Sequence, residues 1–233
     1  MFTTYIAAAP NDAERALGRG LPLAHMAYTV GENLTLRRSA RFTAHGGLMV
    51  ISNTLPEPDA DADAFCRAVL AEYRERNFSG ILPDFEVPLP RVLSELERAG
   101  AELFVPFGTG ITAGALRGQL ERAVRNHGAK RLLLDVERIA RDITLPSPEG
   151  LGVPVSRSEL SQLMSARRPA IFFSNELCAN YFTYKDARSA THFVLFDDEE
   201  SIAKKLRLGR ELGLHGAILL YSEIMGSKLP AVN

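Results

Sequence analysis

The chain contains no tryptophan and only two cysteines in 233 residues. Cys66 and Cys178 cannot build a disulfide framework and lack zinc-ligand spacing, so they read as small buried hydrophobes. The five histidines, at 25, 45, 127, 192 and 215, show no His-x-x-x-His spacing, and no metal site is expected. An excess of one charge sign is missing as well. Lys and Arg number 27 against 28 Asp and Glu, a formal net charge of −1. That argues against a protein that holds nucleic acid by neutralising phosphates. No apolar run approaches the roughly 20 residues of a membrane-spanning helix. Met1 to Ile6 carries neither a basic n-region nor a long apolar h-region, so no signal peptide is visible. No Gly-rich phosphate loop follows the first apolar run, and Gly108-Thr109-Gly110 reads as an ordinary loop. Ser52 and Ser174 lack the setting of a nucleophile elbow.

The rest is an ordinary globular composition, 46% hydrophobic and 24% charged. Its length suits a single domain over residues 1–233. Short apolar runs recur: Tyr5 to Ala9, Ala24 to Val30, Gly47 to Asn53, Gly80 to Glu86, Leu103 to Phe107, Arg131 to Asp135, Ala170 to Ser174 and Gly216 to Tyr221. A shorter one spans His192 to Phe196. Runs with so little polar interruption suit strands covered on both faces of a parallel sheet.

Helical patterns lie between them. From Asp61 to Asn77, Phe65, Val69, Leu70 and Tyr73 recur at helical spacing. Others cover Leu89 to Ala99, Ala113 to Asn126, Ser156 to Met164 and Asp198 to Leu212, the last stopped by Gly213. Strands alternating with helices predict an α/β fold. Eight main runs leave about 29 residues per unit, enough for a compact (β/α)8 TIM barrel with room for irregularity. An open doubly wound sheet is the structural alternative. The Pro- and Gly-rich stretch from Thr144 to Pro154 reads as a long loop on the active face.

Ser79-Gly80-Ile81-Leu82-Pro83-Asp84-Phe85-Glu86 carries the chemistry. Alternation puts Ile81, Pro83 and Phe85 on one face and Leu82, Asp84 and Glu86 on the other. The two carboxylates then stand roughly 6.5–7 Å apart along the strand, at the C-terminal end where barrel enzymes place catalytic groups. Two like charges on an inner face are costly unless hydrogen-bonded or partly protonated, an environment that suits a general acid. The opposing reading is a strand end entering a solvated loop. Pro83 is unusual here, because it removes a ladder donor.

The segment resembles the Asp-Gly-x-Asp-x-Asp-x-Glu strand of family 18 glycoside hydrolases, the chitinase-like barrels. The C-terminal part is similar too. Phe196-Asp197-Asp198-Glu199-Glu200-Ser201, with Lys205 and then Gly213 to Ile218, resembles the final unit of the branch found in spore-associated peptidoglycan-cleaving enzymes. Tyr181 to Lys185 also fits. The resemblance covers the chain from the fourth run onward, and the first three runs by count. It implies Glu86 as catalytic acid, and Asp84 as the group that orients the substrate's 2-acetamido function in substrate-assisted retaining hydrolysis. It implies a β-linked N-acetylglucosamine glycan, peptidoglycan or chitin-like, as the partner, with no metal or cofactor. With no signal peptide visible, it also implies a cytoplasmic or spore-associated location. The chain departs from the pattern at Ser79 and Leu82, which replace aspartates. It departs again at Leu134, which replaces the tyrosine before Asp135, and at Leu220, which replaces the last-strand tryptophan.

Asp135, repeated two residues on by Glu137, is a candidate substrate contact. Tyr221, Asn53, Asn175, Glu176 and Tyr28 are further candidates for lining a sugar site, although Asn at a strand end is more often a turn residue. Two functions stay open at this point: an active glycosidase, or a catalytically impaired barrel that binds glycans or another partner. A lower third is a barrel using Asp84, Glu86 and Asp135 on Mg²⁺.

Overall fold

The computed structural model describes residues 1–40, 42–53, 62–110, 114–147 and 152–225. Its first strand, β1 (Thr3–Ala8), carries no charge and is buried along nearly its whole length. A strand of that kind needs cover on both faces. It lies between β2 (Leu23–Gly31) and the last strand, parallel to both. The short α1 (Ala13–Leu17) makes the first connection. β3 (Thr35–Arg38) folds back antiparallel on the outer half of β2. β4 (Leu48–Asn53), α2 (Ala62–Glu75), β5 (Gly80–Phe85), α3 (Pro90–Arg98), β6 (Val105–Gly108) and α4 (Leu116–His127) follow. After a one-turn 3-10 helix comes β7 (Leu132–Val136).

The chain then leaves the parallel sheet. β8 (Ala140–Leu145), β9 (Val153–Pro154), α5 (Arg157–Arg167), β10 (Phe172–Ser174), β11 (Ala179–Lys185) and β12 (Thr191–Phe196) intervene. α6 (Glu199–Glu211) then leads to β13 (Gly216–Leu220) and α7 (Tyr221–Ile224). Strand order in the main sheet is β5-β4-β2-β1-β13-β7-β6.

The ends of that order meet. Ile81 of β5 bridges Leu103 in parallel, its N–H donating to Glu102 O at 2.8 Å and its carbonyl accepting from Phe104 N–H at 2.9 Å. The expected barrel therefore forms, closed by seven parallel strands among the described residues rather than eight. The seam is paired only at its base. This accommodates Pro83: its nitrogen points to the same side as that of Ile81, toward a stretch of seam where no ladder partner requires a donor.

The run at Ala170–Ser174, read from sequence as a barrel strand, is the exception. As β10 it edges a second, antiparallel sheet of order β10-β11-β12-β8-β9, to which the His192 run also belongs as β12. Only four residues separate β10 from β11, and the Ser174 hydroxyl accepts the Leu177 N–H within the turn. So short a link permits antiparallel pairing, whereas a parallel partner needs a crossover of a dozen residues or more. The Thr144–Pro154 stretch is correspondingly the β8–β9 hairpin, and its residues 148–151 lie outside the described residues.

Strand alternation sorts the core into layers. Tyr5, Ala7, Ala24, Leu48, Val50, Leu82, Leu133 and Ile218 fill the barrel. Ile81, Met49 and Ile51 face Phe65, Val69, Val92 and Leu96 of α2 and α3. Ile6, Leu134 and Leu219 face α4 and α6 through Leu120, Ile202 and Leu206. Each fully buried side chain of this size contributes about 1.5–3 kcal/mol. α6 starts on a capping box, with Asp198 Oδ1 accepting Ser201 N–H and Ser201 Oγ accepting Asp198 N–H.

Candidate active site

The inner positions of β5 and β7 change character toward their C-terminal ends. On β5, Leu82 packs inside the barrel and Asp84 stands above it. On β7, Leu133 is inside and Asp135 stands above it. Strand closure brings these ends to one cavity of about 180 Å³ at the barrel mouth. Its floor is apolar (Ala7, Val50, Leu82, Ile218, Leu220), and Asp84, Asp135, Glu137 and Glu223 supply carboxylates to its walls.

Burial raises the Asp135 carboxyl to about 6, helped by the negative charges of Glu137, Asp84 and Glu223. Burial also raises Glu223, and the Arg138 N–H that donates to its Oε2 at 3.0 Å partly offsets the rise. Asp135 thus keeps its proton into mildly acidic pH, well above the ordinary aspartate range, in a site with an apolar floor. Such a group can donate a hydrogen bond to a sugar oxygen as well as accept one.

Glu137 is placed by two glycines. A Cβ on Gly108 or on Gly110 would fall 2.9 Å from one of its carboxylate oxygens, so the Gly108-Thr109-Gly110 loop is where Glu137 lies against backbone. Thr109 N–H donates to Asp135 O at 2.9 Å and joins this loop to the end of β7.

The remaining candidates from sequence separate. Glu86 lies just beyond β5, exposed at the rim and outside the cavity lining. Asn53 is buried, with both amide atoms bonded to the backbone of Val87, so it holds the segment after Glu86 and does not line the cavity.

Tyr28 is a correction. It is 1% exposed and packs outside the barrel, its hydroxyl donating to Glu72 Oε2 of α2 at 2.9 Å. A register shift in β2 between His25 and Tyr28 turns it outward. Tyr221 is another: Leu220 faces the mouth, and the next position packs into the outer cluster with Ile202 and Leu206. Asn175 and Glu176 sit in the β10–β11 turn, where Glu176 O accepts Leu116 N–H at the start of α4; neither lines the cavity.

Sequence reading named Glu137 only as the echo of Asp135, and missed Glu223 altogether. Glu223 follows a strand end by three residues, a signal too common to single out. Among the described residues, no group of three His, Cys, Asp or Glu side chains is arranged to hold a metal ion. No helix among them is long and apolar enough to cross a membrane.

No family profile matches the chain. Over 106 residues it is 30% identical to the cortical fragment-lytic enzyme of Bacillus subtilis, a match covering 44% of this chain and 24% of that relative. The chain therefore spans about a quarter of the length of the curated relative it matches. The spore cortex-lytic enzyme SleL of Bacillus cereus superposes with a TM-score of 0.67 at 17% identity, over 98% of this chain and 71% of that one. A family 18 chitinase from Cycas revoluta, solved with (GlcNAc)4, superposes with a TM-score of 0.61 at 14% identity, over 93% of this chain and 94% of that one. The fold is the TIM barrel of these enzymes, in a divergent sequence.

Proposed function

We propose that the chain is a glycoside hydrolase acting on β-linked glycans that contain N-acetylglucosamine. One observation carries the reading: Asp84 and Asp135, from different strands, share a cavity over an apolar floor at the C-terminal mouth. The likeness in fold to a chitinase solved with a GlcNAc oligosaccharide supports the substrate class. The partial identity to a cortical fragment-lytic enzyme supports peptidoglycan over chitin and a spore-associated setting.

In this reading Glu86 gives its proton to the glycosidic oxygen. The oxygen of the substrate's own 2-acetamido group attacks the anomeric carbon, and Asp84 orients that group. Water then opens the cyclic intermediate, and Glu86 takes back a proton from it. Asp135, on β7 with only β6 between it and β5, contacts the sugar hydroxyls.

Release of labelled ends from N-acetylglucosamine oligomers tests the proposal. Glu86→Gln is expected to lose about 100-fold or more of kcat, the scale of a general acid. Equal rates in variant and wild type overturn it.

A further inference from the structure

Among the described residues, the second sheet ends on an open strand. β10 is its outermost member on the side away from β9, and it pairs with β11 without a break in register. The outward N–H and C=O groups of an edge strand are a template for another strand, and natural edges are blunted by charge, proline or a bulge. From Ala170 to Ser174 this edge has none of the three. Ile171 and Phe172 stand 51% and 54% exposed along it. Pro169, which cannot donate, bounds the stretch on one side, and the turn into β11 bounds it on the other.

Phe172 also ends an aromatic row. Its ring lies 5.6 Å from that of Tyr181, which stacks on Phe193 at 5.0 Å. The opposite face of the sheet, with Phe182 and Val194, is covered by Leu160, Leu163 and Met164 of α5.

The edge is complementary to itself. Antiparallel pairing with a second copy, about a two-fold axis at Phe172, sets Ile171 opposite Phe173 of the partner subunit. It sets Ala170 opposite Ser174 of the partner subunit. The same register places Arg168 opposite Glu176 of the partner subunit, and the axis repeats that pair at the other end. Both side chains are exposed, and neither joins an ion pair among the described residues. Parallel pairing would instead set like charge against like. Residues opposite one another on an antiparallel ladder share a face, so the aromatic row runs on from one copy into the next.

We propose that the β10 edge is a homodimer interface, formed by antiparallel pairing of two β10 strands about Phe172 and held in register by Arg168 against Glu176 of the partner subunit. This contact is isologous, so it closes on two copies. It does not depend on the glycan-cleaving reading. A seam this short buries less than a standard interface, and a Kd of about 10–100 µM is expected.

Sedimentation velocity on the full chain, from about 1 to 500 µM, tests the proposal. The parent is expected to pass from monomer to dimer over that range. Amide hydrogen exchange from Ala170 to Ser174 is expected to slow in step. Phe172→Lys is expected to stay monomeric throughout, because a charge now stands on the axis. Arg168→Glu alone and Glu176→Arg alone are each expected to weaken the dimer about tenfold, and the two together to restore it. These reversals lie on exposed side chains, so they decide the matter even if Phe172→Lys lowers the melting temperature. A parent that stays monomeric across the range overturns the proposal. So does a dimer that survives Phe172→Lys, or a double reversal that fails to restore what each single one removed.

Discussion

Asn53, the last residue of β4, grips the backbone of Val87 with both ends of its amide: Nδ2 donates to Val87 O at 2.8 Å, and Oδ1 accepts Val87 N–H at 3.1 Å. Val87 directly follows Glu86, so a buried side chain on one strand sets the course of the backbone that presents the proposed acid on the next. Asn53→Ala removes both bonds and leaves the Val87 groups unpaired, at about 1–3 kcal/mol. The expected kinetic result is a fall in kcat larger than any change in KM, since the acid loses its placement while the sugar-binding walls remain. Steady-state kinetics at a temperature well below melting checks this.

Asp135 makes stability depend on pH. Its folded carboxyl titrates near 6, above the ordinary value of 3.8. The folded state therefore keeps a proton that the unfolded chain releases. This contribution is complete below pH 4, declines as pH rises, and is gone above about 6. A shift of this size corresponds to at most about 3 kcal/mol. Asp135→Asn is expected to flatten the decline between pH 4 and 6.5 and to raise stability at pH 7. Urea midpoints across that range measure both, and an unchanged slope contradicts the assignment.

A methyl group at Gly110 has no room beside Glu137, whose Oε2 lies 2.9 Å from the ideal Cβ position. Because a side-chain carboxylate can swing away, Gly110→Ala is expected to cost little stability. Its effect falls on the mouth: KM for N-acetylglucosamine oligomers rises several-fold as Glu137 moves into the space a sugar would take. Unaltered KM would place the sugar away from this wall.

Lys205 and Asp197 form a fully buried ion pair at 2.6 Å, in which Asp197 also accepts from Ser201 Oγ and from Ile139 N–H. Asp197 N–H donates to Ile139 O in return, so α6 is tied to the segment joining β7 to β8. Lys205→Met strands a buried carboxylate, and a loss of about 3–5 kcal/mol is expected. Denaturant unfolding gives the value directly.

Much of this was legible in the chain. The inward placement of Leu82 and Asp84, and the outward placement of Ile81, follow from strand alternation alone. The capping residues of α6 follow from Asp198 and Ser201. Tyr28 was misread because a bulge reverses alternation locally, and a bulge has no dependable signature in one sequence. Tyr221 was misread for the opposite reason: alternation held, and sent it outward. The Ala170 run was misassigned because an apolar run does not reveal its partner, and the short turn after it decided for a hairpin.

The sequence by itself determined the alternation of strands and helices and the faces those elements bury, because periodicity and propensity act over a few neighbouring residues. Only the tertiary structure decided that seven strands suffice to close the ring. It alone brought Glu223 beside Asp135 and seated the antiparallel sheet next to the mouth. Those relationships depend on closure and on the seating of one sheet against another, where residues far apart in the chain share one desolvated space and change each other's charge.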